Sequence, residues 1–471
     1  MAGTPFDFIQ EARRLIQFNT VTSLSNADCA VWLGSLFRRS GLEVSYQESR
    51  VDGILFLNLV GTIGRGKNPI LLTTHLDTVD PGEHRLWTKT GGNPWKMTRR
   101  GETFYGLGVA DTKLDILCKL SALNQVPLAK IKKPVILLGT FGEESGLRGA
   151  ARFCQGDCPR PSMALVGEPS ELSLVTRHKG LAVLEILLRG KGLHRPSKTE
   201  WVYEIQFIGQ ATHSSTPALG RNALQESIVF LKELKKRYEK VKVLSWEGGT
   251  GHNVIPASAR VRFSLGDRPK AALSSSSTRK VKIERAAPGW YPTLPSDHLI
   301  WCIDSFGELV SPLLQQKDPA FQPPHLTWNV TLLRETKEGL SLTIDVRPLP
   351  GQALHRLFKS VEQKVWKKLG PPGVVWQFRL ERDNSPLDLK KDSPLVKLAA
   401  SALRSAKLPV KIAAKAGCSE AGLYARVGIP SIVVGPGRSR GNIHRPNESV
   451  TDRQLKSAIR FYKAFLEKTC F

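Results

Sequence analysis

The sequence predicts an α/β fold: a discontinuous domain with a mixed, mostly parallel sheet flanked by helices, interrupted by an inserted α+β domain. Three observations carry this. Apolar strand-like runs alternate with helical patterns through about residue 175, and the alternation resumes after about residue 383. The stretch between them changes character, with long alternating strands and two long amphipathic helices. The boundaries are therefore 1–180 with 383–471 for the outer domain and 181–382 for the insert, which carries an extra segment at about 267–340.

The elements follow in order. Residues 6–18 and 27–40 have helical spacing, and Gly41 stands where a C-cap belongs. Strand-like runs follow at 54–60 and 69–75, then a helix from about Asp111, a strand at 134–141, a helix near 146–153 and a strand at 163–167. In the insert, 181–190, 201–210, 259–267 and 341–348 read as strands, and 223–240 and 351–369 as helices. The 267–340 segment is Ser- and Pro-rich at its ends and reads as an elaboration of the insert. The C-terminal part returns to helix 393–405, strand 411–417, helix 419–426, strand 430–437 and a last helix at 451–468.

Composition narrows the function. The chain has 471 residues, 41% hydrophobic and 23% charged, enough for two or three domains. No uninterrupted apolar run approaches the roughly 20 residues of a membrane helix. The first residues alternate charged and apolar side chains and lack a leader's apolar core, so a cytoplasmic protein with no membrane partner is expected. Seven cysteines, an odd number and mostly far apart, fit reduced thiols better than a disulfide framework. Lys+Arg 68 against Asp+Glu 42 leaves a net charge of +26. The basic groups are short and scattered, Lys235-Lys236-Arg237 being among the longest, and nothing resembles a nucleic-acid module. A solvated basic surface is expected, with no specific nucleic-acid partner.

Chemistry is concentrated in five passages: LLTTHLDTVDPG (71–82), YGLGVADTK (105–113), GTFGEESG (139–146), ALVGEPS (164–170) and GPGRSRGNIHRPNE (435–448). Each alone is weak, since a lone His75 is usually a hydrogen-bonded structural residue and a pair such as Glu143-Glu144 is usually solvated. Four of the five, however, directly follow apolar strand-like runs, where open α/β sheets place their ligand sites. Carboxylates gathered there repel unless protonated or neutralised by cations. His plus carboxylate suits a borderline divalent ion such as Zn²⁺, and this much negative charge suits two ions sharing one carboxylate.

In this order the passages resemble the dinuclear zinc aminoacylase and peptidase family that includes acetylornithine deacetylase, succinyl-diaminopimelate desuccinylase and carboxypeptidases. The resemblance covers nearly the whole chain except 267–340. It implies two divalent metal ions, Zn²⁺ or Co²⁺, one held by His75, Asp111 and Glu168, the other by Asp111, Glu144 and His444. It further implies that Asp77 orients His75, and that Glu143 activates a metal-bridging water and then protonates the leaving amine. The outer domain becomes the catalytic domain and the insert a lid and dimerisation domain.

GQATHSSTPALGRNA (209–223) and GGTGHNVIPA (248–257) match the family's lid motifs. They imply that His213 donates to the reaction's oxyanion from the partner subunit of a homodimer, and that Asn253 lies near the substrate. Arg347, in LTIDVRPLPG, matches the arginine that grips a substrate carboxylate, although SLGDRP leaves Arg268 open for the same role. GCSEAG (417–422) and RHKG (177–180) look most like acetylornithine deacetylase. The expected reaction is hydrolysis of an N-acyl amino acid, with a dipeptidase, carboxypeptidase or desuccinylase as the alternative. From other classes, the alternatives are a non-catalytic binding protein on the same fold, which loss of Glu143 or a ligand would have signalled, and a binder of nucleic acid or anionic surfaces.

Overall fold

The structure, a computed structural model, describes residues 6–156, 158–197, 199–266, 276–352, 354–369 and 376–471. Arg268 lies outside them. The chain divides into two compact units, Met1–His178 with Asn384–Phe471, and Lys179–Asp383.

The first unit is built on one mixed sheet in the order Glu43–Val51, Ile54–Ile63, Val135–Thr140, Ile70–His75, Met163–Gly167, Ser431–Val433, Leu174–His178 and Leu387–Asp388. Ile412–Lys415 pairs in parallel with Leu174–His178. The centre is parallel, from Val135–Thr140 through Ile70–His75 and Met163–Gly167 to Ser431–Val433. The leading hairpin joins it antiparallel. The central strands read as continuous apolar runs because both faces are covered.

Alternation along each strand sorts side chains between two cores. Ile70, Leu72, Val135, Leu137 and Leu165 face one, which is closed by helices Phe8–Gln17, Ala27–Arg39, Lys113–Leu123, Pro394–Ser405 and Asp452–Cys470. Leu71, Ile136, Leu138, Ala164 and Val166 face the other, closed by the shorter helices Arg148–Cys154 and Glu420–Arg426. Lys113–Leu123 is buried on every side, including Lys113, Asp115 and Lys119, so its polar residues need internal partners. Local chemistry sets the helix ends. Gly41 follows Ala27–Arg39 at φ +82°, a left-handed position that suits glycine. Thr451 and Gln454 form a reciprocal capping box at the start of Asp452–Cys470.

The second unit is an eight-stranded sheet among the described residues, ordered Arg279–Arg285, Trp201–Ile208, Ser258–Leu265, Lys242–Gly248, Thr327–Glu335, Gly339–Arg347, Leu181–Arg189 and Trp376–Asn384. Helices Ala223–Arg237 and Ser296–Leu314 pack on one core with it. The segment read from sequence as an elaboration is structurally integral where it is described. It supplies helix Ser296–Leu314, the edge strand Arg279–Arg285, and Thr327–Glu335 in the middle of the sheet. Its Ser- and Pro-rich ends mask that periodic interior. Among the described residues no helix is long and apolar enough to cross a membrane.

A candidate metal centre

The parallel centre of the first sheet brings its carboxyl ends to one edge. His75 closes Ile70–His75, Glu168 follows Met163–Gly167, and Glu143 and Glu144 lie just past Val135–Thr140. Asp111 precedes helix Lys113–Leu123, and His444 lies in the loop after Ser431–Val433 in a left-handed conformation, φ +56°. Six groups from five separate stretches of sequence thus converge.

The distances are short. His75 Nε2 lies 3.4 Å from Asp111 Oδ1 and 4.0 Å from Glu168 Oε1. His444 Nε2 lies 3.0 Å from Asp111 Oδ2 and 3.1 Å from Glu144 Oε1. Asp111 therefore turns one oxygen to each imidazole. Ligand atoms of His75, Asp111 and Glu144, and separately of His75, Glu143 and Glu168, all fall within 4.8 Å of one another.

Asp77 behaves differently from the sequence expectation. His75 Nδ1 donates to the backbone carbonyl of Asp77 at 3.0 Å, while the Asp77 carboxylate stands 3.6 Å away. That carboxylate instead accepts the backbone N–H groups of Glu143 and Glu144, each at 3.1 Å. Asp77 therefore orients both the imidazole and the acidic loop, the first through its backbone and the second through its side chain.

Three features escaped the sequence. Buried Glu448 accepts from the backbone N–H groups of Ala110 at 2.8 Å, Asp111 at 2.9 Å and Gly108 at 3.2 Å, holding the loop that carries Asp111. Lys415 places its ammonium 3.1 Å from Glu168 Oε2. Behind the site, Lys119 Nζ pairs with Asp115 Oδ2 at 2.5 Å and donates to the carbonyl of Thr73 and the hydroxyl of Thr74. Asp115 also accepts from Tyr462 at 2.6 Å and Thr74 at 2.8 Å. A Cβ at Gly167 would collide with Asp115 Oδ2, so glycine is required where this network meets the strand leading to Glu168. The five passages contained Glu448 and Gly167, but nothing local marks their partners.

The electrostatics expose a charge problem. Burial opposes charging of His75, yet the neighbouring Asp111 and Asp77 carboxylates push its pKa well above the ordinary imidazole value. Burial likewise opposes charging of His444, but Glu144 and Asp111 push it up to about 12. Burial works against the Asp111 carboxylate too, and the two imidazoles outweigh it, holding that group far below the usual range. Burial and the neighbouring charge of Glu168 push Glu143 upward. Without added cations the cluster offsets its negative charge with protons, held on the two imidazoles and favoured on Glu143. Divalent cations compete for these same lone pairs, so a donor set of the two imidazoles with the Asp111, Glu144 and Glu168 carboxylates fits them.

The remaining sequence-predicted residues lie in the second unit. Ser215 N–H donates to His213 Nδ1 at 3.1 Å, and the Ser215 hydroxyl contacts the same nitrogen at 2.7 Å. Nδ1 is thus an acceptor and the ring proton sits on Nε2. The carbonyl of Asn253 accepts from Ser214 N–H at 2.9 Å, tying together the segments that carry His213 and Asn253. Arg347 is almost fully buried, with Nε 3.0 Å and Nη2 2.9 Å from the two oxygens of Asp345, and Nη2 3.1 Å from Ser214 Oγ. A bidentate pair with Asp345 was not anticipated from TIDVRP.

Such a donor cluster at the carboxyl ends of a parallel sheet defines a class, the metal-dependent hydrolases, and comparison with known proteins agrees. The model of Peptidase family M20/M25/M40 matches residues 71–468, and the chain belongs to that family. Acetylornithine deacetylase from Buchnera aphidicola subsp. Schizaphis graminum is 30% identical over 289 residues, covering 57% of this chain and 69% of its own length. Among solved structures, aminoacylhistidine dipeptidase from Vibrio alginolyticus is similar with a TM-score of 0.65 at 15% identity, covering 98% of this chain and 96% of that one. An M20 family metallo-carboxypeptidase from Sulfolobus solfataricus gives 0.60 at 15%, covering 98% and 99%. These structural likenesses speak to the fold.

Proposed function

We propose that the chain hydrolyses the amide bond of an N-acyl amino acid, in the manner of an acetylornithine deacetylase, using two divalent ions, with Zn²⁺ the expected metal and Co²⁺ a working substitute. The observation that carries this reading is Asp111, whose two oxygens face separate imidazoles at 3.4 and 3.0 Å, each beside a further carboxylate. Asp111 would be shared, with His75 and Glu168 on one side and Glu144 and His444 on the other. When bound, the ions supply Lewis-acid polarisation of water and of the scissile carbonyl.

The chain's own residues supply the rest. Glu143 takes a proton from the attacking water and delivers it to the departing nitrogen, and burial beside Glu168 raises its basicity toward that task. Asp77 holds the Glu143-Glu144 backbone so that one carboxylate can bind metal while its neighbour faces the water. His213, protonated on Nε2, has the tautomer needed to donate to an oxyanion. Arg347 presents a preorganised guanidinium for a substrate carboxylate, with Asn253 beside the substrate. The second unit would serve as lid and homodimer contact, with His213 acting on the partner's site, and sedimentation of the full chain tests that assembly.

The reading is tested by assaying metal-loaded protein on N-acetyl, N-succinyl and dipeptide substrates. N-acetyl amino acids, N-acetylornithine included, should give the highest kcat/KM. A clear preference for dipeptides would move the assignment to a dipeptidase, and hydrolysis of none would overturn it in favour of a binding protein.

A further inference from the structure

Glu168 does not present both oxygens to the candidate metal centre. Its Oε1 faces His75 Nε2 at 4.0 Å, whereas its Oε2 is held 3.1 Å from Lys415 Nζ. Lys415 ends strand Ile412–Lys415, which is fixed in parallel register beside Leu174–His178, with Lys415 opposite His178. Glu168 is 5% exposed, and the Lys415 side chain is about a quarter exposed. The ammonium is therefore delivered by backbone pairing to a largely desolvated carboxylate, where a unit charge acts more strongly than at the surface.

Two consequences follow from that geometry. An oxygen committed to an ammonium is a poor second ligand, so Glu168 offers one oxygen rather than a chelating pair. A fixed positive charge beside Glu168 also repels a dication there, while the opposite side of Asp111 is built from Glu144 and His444 at 3.1 Å. We propose that Lys415 restricts Glu168 to one-oxygen ligation and makes the His75–Glu168 position the weaker of two inequivalent metal sites. Lys415 is in this sense a positioning residue acting through Glu168. The inference rests on the reading that this cluster holds two divalent ions.

The test is titration of metal-stripped full-length protein with Co²⁺, followed by calorimetry and by visible absorption. The wild type should bind two ions of unequal affinity. In Lys415→Met the weaker site should tighten about tenfold or more. Its visible band should also change as the second Glu168 oxygen joins the ion. Lys415→Gln should behave like the Met variant, which guards against a folding artefact, and Lys415→Arg should retain the wild-type pattern. Unchanged or weaker affinity at that site in both the Met and Gln variants overturns the role of Lys415. A wild type that binds no Co²⁺ overturns the metal reading itself, which distinguishes the two failures.

Discussion

Two ionic clusters share the first unit and use the same kinds of residue to opposite ends. Behind the sheet edge, Asp115 and Lys119 are fully buried and paired one to one, and Thr73, Thr74 and Tyr462 satisfy their remaining hydrogen-bonding capacity. At the edge, the four carboxylates of Asp111, Glu143, Glu144 and Glu168 gather around the imidazoles of His75 and His444 and the ammonium of Lys415. The first cluster is closed and neutral. The second sets four carboxylates against at most three cationic side chains, so it stays short of positive charge even with both imidazoles protonated and has capacity for an external cation. Charge balance, rather than the presence of buried carboxylates, separates the structural network from the chemical one.

The largest effect expected from breaking this contrast is kinetic. Glu143→Ala should keep its metal and lose at least about 10³-fold in kcat, because general base catalysis is removed without a ligand. Single-turnover assays with metal analysis check this, and normal turnover would remove Glu143 from the mechanism.

The closed cluster should answer in stability instead. Lys119→Met leaves Asp115 buried without its countercharge and should cost about 3–5 kcal/mol. Denaturant unfolding reads the loss, while metal stoichiometry in the folded protein should not change. A smaller effect belongs to Glu448, which holds the Asp111 loop without touching the ions. Glu448→Gln should weaken metal binding by about 10–100-fold, the usual range for groups that orient ligands.

Outside the ligand set, the contrast also predicts a pH slope. Glu420, buried and accepting from Thr140 at 2.6 Å, is pushed up to about 7 by burial, against an unfolded value near 4.5. Between those values the folded metal-free chain binds more protons than the unfolded one. Its contribution to stability is therefore complete below pH 4.5 and is lost as pH rises through 7, by roughly 3 kcal/mol. Unfolding midpoints of metal-free wild type and Glu420→Gln at pH 5 and 7.5 should show the slope in the wild type and a flatter response in the variant.

Much of this was readable from sequence because its signals are local. Strands such as Ile70–His75 and Val135–Thr140 announce themselves by apolar runs, and His75, Glu143 and Glu168 by standing at or just beyond the ends of such runs. Glu43–Val51 did not, because it is a mostly polar, partly exposed edge strand on which only Val44 and Tyr46 pack toward the larger core. Glu448 was unreadable in role because its partners are backbone N–H groups 337 to 340 residues away. Lys415 looked like one more of many lysines, and only strand pairing brings it to Glu168. The excess of +26 is likewise left without a role by this site, whose own side chains are mainly acidic.

The most direct measurement of the central claim is metal content followed alongside hydrolysis of an N-acetyl amino acid through chelation and reloading. Two ions per chain should be found, activity should vanish as they are removed and return with Zn²⁺ or Co²⁺, and Asp111→Ala should hold neither ion pair nor activity. Hydrolysis that persists in fully stripped protein, or in Asp111→Ala, would contradict it.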